Sequence, residues 1–404
     1  MPLDKPDRVV LQQIVDAVAK HGSKAAAARA LKMPEMTLKH RLAYAEAEGI
    51  RPSIGEDEHL KARVKRLESE LAAAQKKALT EDAVRRHIIG LRDAVQNAEP
   101  PRWLVSKKEA GAPGIPTLFL SDLHWGEVVH PSQINGVNRY TVAIAKERLK
   151  RLADSAVHLL EIVSPKMDYP GIVVPLGGDM ISGNIHEELT ATNEINSMPA
   201  VLDLYGELVG FIGAMADRFG RVFCPCVTGN HGRDTHKIWN KGRNHSSFDW
   251  LLYGFLAKHF ENDKRVTFEI PDGPDAYYKI YNHRYLLTHG DQFRGGDGMI
   301  GALGPIIRGD HKKRSRNAQV AMEYDTLLLG HWHQYIHLTR LIVNGSLKGY
   351  DEYAYNNNFG FEPPQQALWL THPTHGITYR MPVYVDSTPS ASKKLATNWV
   401  SVAA

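Results

Sequence analysis

The sequence predicts a mixed α/β body preceded by a separate small all-α domain. From Ile115 onward, short segments rich in Val, Ile and Leu alternate with amphipathic stretches at helical spacing, which is the pattern of βαβ units. The 11 Phe, 7 Trp and 16 Tyr residues all lie beyond residue 100, except Tyr44. Only four of the 33 glycines fall in the first hundred residues. The first quarter is therefore poor in aromatic residues and turns, as short helices and coiled coils are.

The composition excludes several classes of protein. The chain has 404 residues, 43% of them hydrophobic and 23% charged, which is typical of a globular protein with two to four domains. Collagen, a fully disordered chain and a disulfide framework are excluded, the last because Cys224 and Cys226 are the only cysteines. The net charge of +4 is too small to indicate nucleic acid by itself. An early run of charges and the lack of an 18-residue apolar stretch predict a cytoplasmic chain without membrane association.

Residues 1–52 predict a domain of three short helices. Residues 7–20 have helical apolar spacing, His21-Gly22 ends that helix, and Ser23 can cap the next one. A short alanine-rich helix follows, Pro34 breaks it, and a third helix runs from near Glu35 to Gly49. The run AAAARALKMPEMTLKHRL resembles the helix-turn-helix of nucleoid-protein and transposase type.

In such a motif the second helix of the pair enters the major groove of DNA. The side chains that it would present here are Thr37, Lys39, His40 and Arg41. Residues 20–51 hold seven basic and three acidic residues, so the local charge favours DNA. The alternative is a small helical bundle that only joins copies of the chain.

A helical or coiled-coil segment is predicted over 56–99. Its apolar positions recur at spacings of 3, 4 and 7 and are Leu60, Val64, Leu67, Leu71, Ala74 and Ala78. That pattern favours a homo-oligomer formed through the N-terminal helices, or else a lone amphipathic helix that lies on the next domain. Pro100-Pro101 and the run from Gly111 to Gly114 bracket a predicted linker over 100–114.

The predicted catalytic body spans 115–385, and a flexible tail is predicted over 386–404. Long helices are expected over 139–163 and 199–219, and two strands joined at Asn282-His283. Strands near 336–343, 367–371 and 377–385 are expected to complete a second sheet.

Metal-binding residue types follow the apolar strands in order. The residues in question are Asp122, His124, Asp179, Asn230, His231, His289, His331 and His333. Functional groups collect at the carboxyl ends of strands in open α/β sheets, and residues i and i+2 of an extended backbone point to one side. Both the Asp-x-His and the His-x-His pair are therefore expected to face one cavity. Each pair alone is weak evidence, but five such motifs in order predict a shared metal site.

The residue types indicate a dinuclear centre for phosphoester hydrolysis. Two divalent ions about 3.5–4 Å apart can clamp the attacking and the leaving oxygen, and a water between them becomes a nucleophile. Mixed nitrogen and oxygen ligands suit Mn²⁺, with Fe, Zn or Ni as alternatives. A histidine that is not a ligand can donate a proton to the leaving oxygen.

The series DLH, GGD, GNHG, THGD and GHWH resembles the calcineurin-like metallophosphoesterase family, over residues 115 to about 346. The resemblance implies a two-sheet β-sandwich flanked by helices. It also implies that Asp122, His124, Asp179 and His333 hold one metal, and that Asp179 bridges to a second metal held by Asn230, His289 and His331. Asp179 and His231 would be the catalytic residues, with a metal-bridged hydroxide as nucleophile and His231 as the acid or transition-state stabiliser.

The chain departs from the family pattern at two places. Gly232 follows the GNH histidine where an acidic residue is common, so an acidic partner for His231 would come from elsewhere, with Asp234 as a candidate. The GD motif lacks a following DRG, which argues against the protein phosphatase branch. DLHWGE is more similar to the start of SbcD-like DNA repair nucleases, and that analogy implies an ATPase partner.

Two basic segments follow ligand motifs. Residues 232–248 have a net charge of +3 with Trp239 among them, and residues 306–318 have a net charge of +4. The candidate substrate-binding residues are His186, Arg233, Lys237 and Arg243. These segments either hold a phosphate backbone beside the cleft or are ordinary solvated loops.

Three functions are considered. The first is a metal-dependent nuclease or phosphodiesterase acting on DNA, with the N-terminal helices adding affinity. The second is a phosphoesterase of nucleotides or other small phosphoesters, whose N-terminal module serves oligomerisation. The third, a DNA-binding regulator with a relict site, is disfavoured because every expected ligand is present.

Overall fold

The computed structural model describes residues 7–53, 101–105, 113–294 and 301–386. The chain divides into two compact units, Met1–His87 and Ile88–Ala404. The coiled coil predicted over 56–99 and the tail from 387 onward lie outside the described residues.

Three helices make up the described part of the first unit: α1 (Arg8–His21), α2 (Lys24–Ala30) and α3 (Glu35–Ala47). Local chemistry sets their ends. Ser23 Oγ accepts a hydrogen bond from the amide of Ala26 at 3.2 Å, and Gly22 ends α1 with a left-handed φ of 73°. Apolar side chains from all three helices share a small core.

The third helix turns the predicted DNA-contacting side chains away from this core. Lys39 and His40 are exposed and Thr37 and Arg41 are half-buried, whereas Leu38 between them is fully buried. DNA binding by this face stays a prediction.

The described part of the second unit contains eleven strands. They are β1 (Ile115–Leu118), β2 (Ile172–Val173), β3 (Val222–Pro225), β4 (Val266–Glu269), β5 (Asp275–Ile280), β6 (His283–Thr288), β7 (Thr326–Leu329), β8 (Ile336–Leu338), β9 (Leu341–Val343), β10 (Gln365–His372) and β11 (Gly376–Tyr384). The helices are α4 (Arg102–Val105), α5 (Val142–Val163), α6 (Glu187–Thr192), α7 (Ser197–Phe219), α8 (Phe248–His259), α9 (Leu303–Ala318) and α10 (Glu352–Asn356). Short 3₁₀ turns cover Pro131–Gln133 and Asn244–Ser246.

The strands form two sheets, which confirms the predicted fold class. The first sheet has the order β11-β10-β1-β2-β3-β4, with β1 to β4 parallel. The second has the order β5-β6-β7-β9-β8, with β6, β7 and β9 parallel.

One prediction about the sheets was wrong. The last two strands belong to the first sheet, since β10 pairs antiparallel with β1 and places Thr371 opposite Ile115. Both faces of β10 are buried, with Trp369 towards the second sheet and Leu368 and Leu370 towards the helices. Because neither face is polar, the sequence pattern does not show which sheet the strand joins.

Alternate residues of the first sheet face two different cores. Leu118 and Leu120 lie in the cluster with α5, α7 and α8. Phe119, Val173 and Trp369 lie in the cluster shared with the second sheet, where Leu104 of the predicted linker is also buried. The order of layers is therefore helices, sheet, sheet and helix α9.

Helix α7 belongs to the first of these cores. It is the one helix within the described ranges that is long and apolar enough to cross a membrane, with a mean hydropathy of 1.3 over 18 residues. Its buried side chains, Leu204, Leu208 and Ile212 among them, pack in the helix-side cluster. Cys224 and Cys226 are buried and free, as expected of small apolar residues in a strand.

The basic segment 306–318, considered above as a loop, is helical. Helix α9 packs Ile306 against Leu286, Leu327 and Leu329 on the outer face of the second sheet. Its basic residues therefore lie on a helix that is packed against the second sheet.

Candidate metal centre

The candidate ligands lie just past the carboxyl ends of five parallel strands. Asp122 and His124 follow β1, Asp179 follows β2, Asn230 follows β3, and the remaining three are His289 after β6 and His331 and His333 after β7. The sheets meet at this edge, so residues more than 200 positions apart in sequence become neighbours.

The backbone at these residues differs from the expectation. Extended backbone was expected at the two i, i+2 pairs, and this prediction was wrong. The φ angles are positive at Asp122 (54°), His124 (47°), Asp179 (50°), His331 (68°) and His333 (52°). Left-handed residues other than glycine cost about 1–3 kcal/mol each and persist where surrounding structure holds them. Tight left-handed turns, rather than pleating, bring these side chains together.

A first group of donors contains Asp122, His124 and His333, whose candidate ligand atoms lie within 4.8 Å of one another. The Nε2 atoms of His124 and His333 are 3.0 Å apart, and His333 Nε2 is 3.4 Å from Asp122 Oδ1. Asp122 Oδ2 is buried without a hydrogen-bond partner among the described residues. Two imidazoles and an orphaned carboxylate oxygen at these distances fit a divalent cation.

A second group contains Asp179, His289 and His331. His289 Nδ1 donates to the carbonyl of Gly177 at 2.8 Å, because a carbonyl can only accept. His289 Nε2 then faces two oxygens, Asp179 Oδ2 at 3.0 Å and Asn230 Oδ1 at 3.2 Å. A nitrogen lone pair and two acceptor oxygens that converge in this way require a cation or a proton between them.

The pKa values of the histidines also indicate that this site attracts positive charge. Burial alone would lower the pKa of His289, but the neighbouring Asp179 charge outweighs it and raises the pKa to about 10. Burial lowers the pKa of His124 to about 4, with help from the positive charge of Lys348, and burial also lowers the pKa of His331 to about 4. Neutral imidazoles are the form that binds metal, whereas the proton on His289 sits where the carboxylates attract a cation.

His231 lies beside both groups. Its Nδ1 donates to the carbonyl of Ser182 at 2.8 Å, and its amide donates to Asp179 Oδ1 at 2.7 Å. This backbone carbonyl takes the place of the acidic partner considered above, since Asp234 is exposed. With His124 and Asp179, His231 also forms a third group of potential ligands.

Sequence reasoning missed the carboxylate that holds two ligand loops together. Asp249, at the start of α8, accepts hydrogen bonds from the amides of Asp179 (3.0 Å), Met180 (3.2 Å) and Gly229 (2.9 Å). Burial and the Asp179 charge raise the pKa of Asp249 to about 6. No spacing rule connects Asp249 to residues 20 and 70 positions earlier, so nothing in the sequence points to it.

A second missed element is a buried chain of charges behind His124. Glu127 Oε2 is 3.3 Å from His124 Nδ1, and Glu127 Oε1 is 2.8 Å from Lys348 Nζ. Lys348 also pairs with Asp351 at 2.5 Å, and Ser346 Oγ donates to the carbonyl of Asp122 at 2.9 Å. A carboxylate behind a ligand histidine fixes the orientation of its ring.

The four predicted substrate-binding residues differ in their exposure and in their contacts. Arg233 is half-buried beside the site, and its Nη1 donates to the carbonyl of Asn230 at 2.9 Å. The exposed His186 ring is 6.2 Å from the His231 ring. Arg243 is already paired with Asp291 at 2.9 Å, and Lys237 is exposed on the surface loop.

No protein-family model and no curated protein matches the chain. Among solved structures, it is similar to a conserved uncharacterized protein from Streptococcus pneumoniae, described as a predicted phosphoesterase. The identity is 10%, over 67% of this chain and 99% of that one, with a TM-score of 0.27. It is also similar to Vacuolar Protein Sorting 29 from Cryptosporidium parvum (14% identity, 63% of this chain, 84% of that one, TM-score 0.25). Vps29 from Entamoeba histolytica gives 12% identity over 66% of this chain and 99% of that one, with a TM-score of 0.26. Likenesses this weak carry no functional argument.

Proposed function

We propose that the chain is a dinuclear-metal-dependent phosphoester hydrolase. The observation that carries the proposal is the position of Asp179, whose Oδ2 lies 3.0 Å from His289 Nε2 and 4.0 Å from His124 Nε2. Asp179 of the second group thus also approaches His124 of the first group, which places its carboxylate between the two proposed metal positions.

The donors fit two divalent ions. The first ion would be held by Asp122, His124, Asp179 and His333, and the second by Asp179, Asn230, His289 and His331. Mixed nitrogen and oxygen donors suit Mn²⁺, which we propose, and they also accept Fe, Zn or Ni. Such ions, when bound, stabilise charge on a phosphoryl group and generate a nucleophile from water near neutral pH.

The residues of the chain supply orientation and a proton. The Ser182 carbonyl holds Nδ1 of His231, so a second proton on Nε2 is the one available to a leaving oxygen. The guanidinium of Arg233, anchored on the Asn230 carbonyl, provides positive charge beside the reacting phosphate.

For the substrate we propose DNA. The support is the positive charge beside the site and the outward face of α3 with Lys39 and His40 exposed. Small phosphoesters such as nucleotides are the second candidate, because the metal-binding groups themselves place no demand on the length of the substrate.

To test this, the purified protein is incubated with each of four substrates in the presence of Mn²⁺. The control reactions contain excess chelator. The substrates are labelled single-stranded DNA, labelled double-stranded DNA, bis-p-nitrophenyl phosphate and mono-p-nitrophenyl phosphate. We expect Mn²⁺-dependent cleavage of DNA and of the diester. Turnover of the small esters with intact DNA would shift the assignment to small phosphoesters, and no turnover of any substrate would contradict phosphoester hydrolysis.

A further inference from the structure

Helix α9 has a stripe of positive charge with an unfavourable spacing. Arg308, Lys312 and Arg316 are exposed and recur every four residues, so they lie on one face of the helix. Like charges at this spacing destabilise a helix by a few tenths of a kcal/mol per pair. The acidic residue within α9, Asp310, pairs with Arg314 at 2.8 Å, and Arg316 pairs with Asp275 at 2.9 Å.

The stripe borders a groove next to the metal centre. A cavity of about 210 Å³ is lined by Gln292, Phe293, Arg294, Arg308, Lys312 and Arg316. Gln292 and Arg294 follow His289 by three and five residues, and Gln292 Nε2 donates to Thr288 Oγ1 at 2.7 Å. The lining of the groove therefore begins three residues after the proposed metal ligand His289.

Buried contacts hold the helix at this position. Lys313 Nζ is 2.5 Å from Asp275 Oδ1 and 3.2 Å from Gln292 Oε1. The Phe293 ring packs directly on Gly309, where an added Cβ would lie 2.4 Å from the ring. The cations of the stripe thus lie on a helix whose position is set by buried contacts.

From this arrangement we infer that α9 and Arg294 form a track for the phosphate backbone of a polymeric nucleic acid. The rise of 1.5 Å per residue places the cations of the stripe about 6 Å apart along the helix, so they can contact successive phosphates. A small phosphoester held at the metal centre would not need charges that extend away from it. The inference rests on the proposed function and decides between its two substrate classes.

The test is a variant of the full chain, Arg294→Gln/Arg308→Gln/Lys312→Gln, which leaves the Asp275 partners Lys313 and Arg316 intact. A matched control, Lys150→Gln/Lys166→Gln/Lys264→Gln, removes three exposed charges elsewhere in the second unit. Binding of fluorescent single-stranded and double-stranded DNA is measured by anisotropy in excess chelator across a salt series. Hydrolysis of bis-p-nitrophenyl phosphate with Mn²⁺ is measured separately.

We expect the track variant to lose at least about tenfold in DNA affinity and to lower the salt slope by about 2 to 3. The control should retain both values, and diester hydrolysis should be unchanged in both variants. An unchanged salt slope in the track variant, or an equal loss in the control, would overturn the track. Absence of diester hydrolysis by the wild type would instead contradict the proposed function. The measured DNA affinities and salt slopes would still test the track.

Discussion

At the scale of single residues, the site depends on imidazole nitrogens whose protons are assigned by backbone carbonyls. Gly177 and Ser182 fix the Nδ1 protons of His289 and His231, so Nε2 of each ring faces the cavity. The sequence predicts which residue types meet here, because they follow strands whose ends converge. It does not predict these carbonyls, since a backbone acceptor leaves no mark in residue identity.

His231 is either a proton donor or a metal ligand, and a substitution distinguishes these two roles. If it is an acid, His231→Ala should bind Mn²⁺ as the wild type does, while kcat falls by about 10²–10⁴-fold. If it is a ligand, as the third group of donors allows, Mn²⁺ binding should fall as well. Metal titration together with kcat measurement distinguishes the two, and His158→Ala, an exposed histidine on α5, is the control.

At the scale of elements, tight turns after the strands position the ligands. Gly183 has a φ of +69°, and a Cβ there would lie 2.0 Å from the carbonyl oxygen of His231. This glycine lets the loop after β2 pass against the GNHG turn. Such close approaches belong to the assembled fold, so the GDMISG run alone could not reveal them.

Gly183→Ala should therefore displace His231 and lower kcat at least about tenfold, since a 1 Å misplacement can cost about a hundredfold. Gly206→Ala in α7 is the matched control, because a Cβ there meets open space. The control should keep kcat and gain up to about 1 kcal/mol of stability. Wild-type kcat in a folded Gly183→Ala protein would show that this close approach does not position His231.

The ion pair that docks α9 makes a prediction about pH. Burial alone would raise the pKa of Asp275, but the charge of Lys313 and the hydrogen bonds from Lys313 and Arg316 outweigh it and lower the pKa. A lowered pKa in the folded state means that the stabilisation is present above the ordinary Asp pKa of about 3.9 and is lost as pH falls below it.

Asp275→Asn should lower the free energy of unfolding by about 3–5 kcal/mol at pH 7, because Lys313 is left buried without its charged partner. The difference from the wild type should shrink as pH falls below about 4, because the wild-type carboxylate is then progressively protonated. Urea unfolding of both proteins at pH 7, 5 and 3 measures it. A difference that stays constant with pH would show that the carboxylate charge does not hold α9.

At the scale of the whole molecule, the sequence predicts the two-sheet body well. Composition divides the chain near residue 100, and the motifs mark strand ends in both sheets. The assignment of β10 and the helical state of 306–318 were missed for a physical reason. Strand pairing and helix docking are decided by partners far along the chain, such as Ile115 for Thr371 and Asp275 for Lys313.

If the N-terminal helices bind DNA, Lys39→Gln/Arg41→Gln should weaken DNA binding several-fold at about 0.1 M salt and leave diester hydrolysis unchanged. Arg8→Gln/Lys20→Gln on α1 is the control with the same loss of charge. Anisotropy titrations on labelled duplex DNA measure the effect. Equal affinities for wild type and the α3 variant would favour an oligomerisation role instead.

If Asp179 joins two metal positions, each chain binds two ions, and the metal stoichiometry measures this. The protein is stripped with chelator, dialysed and titrated with Mn²⁺ by calorimetry, alongside His331→Ala and the control His158→Ala. We expect two ions per chain in the wild type and the control, and one in His331→Ala, where the second position loses a donor. A wild-type stoichiometry of one, or no binding, would contradict it.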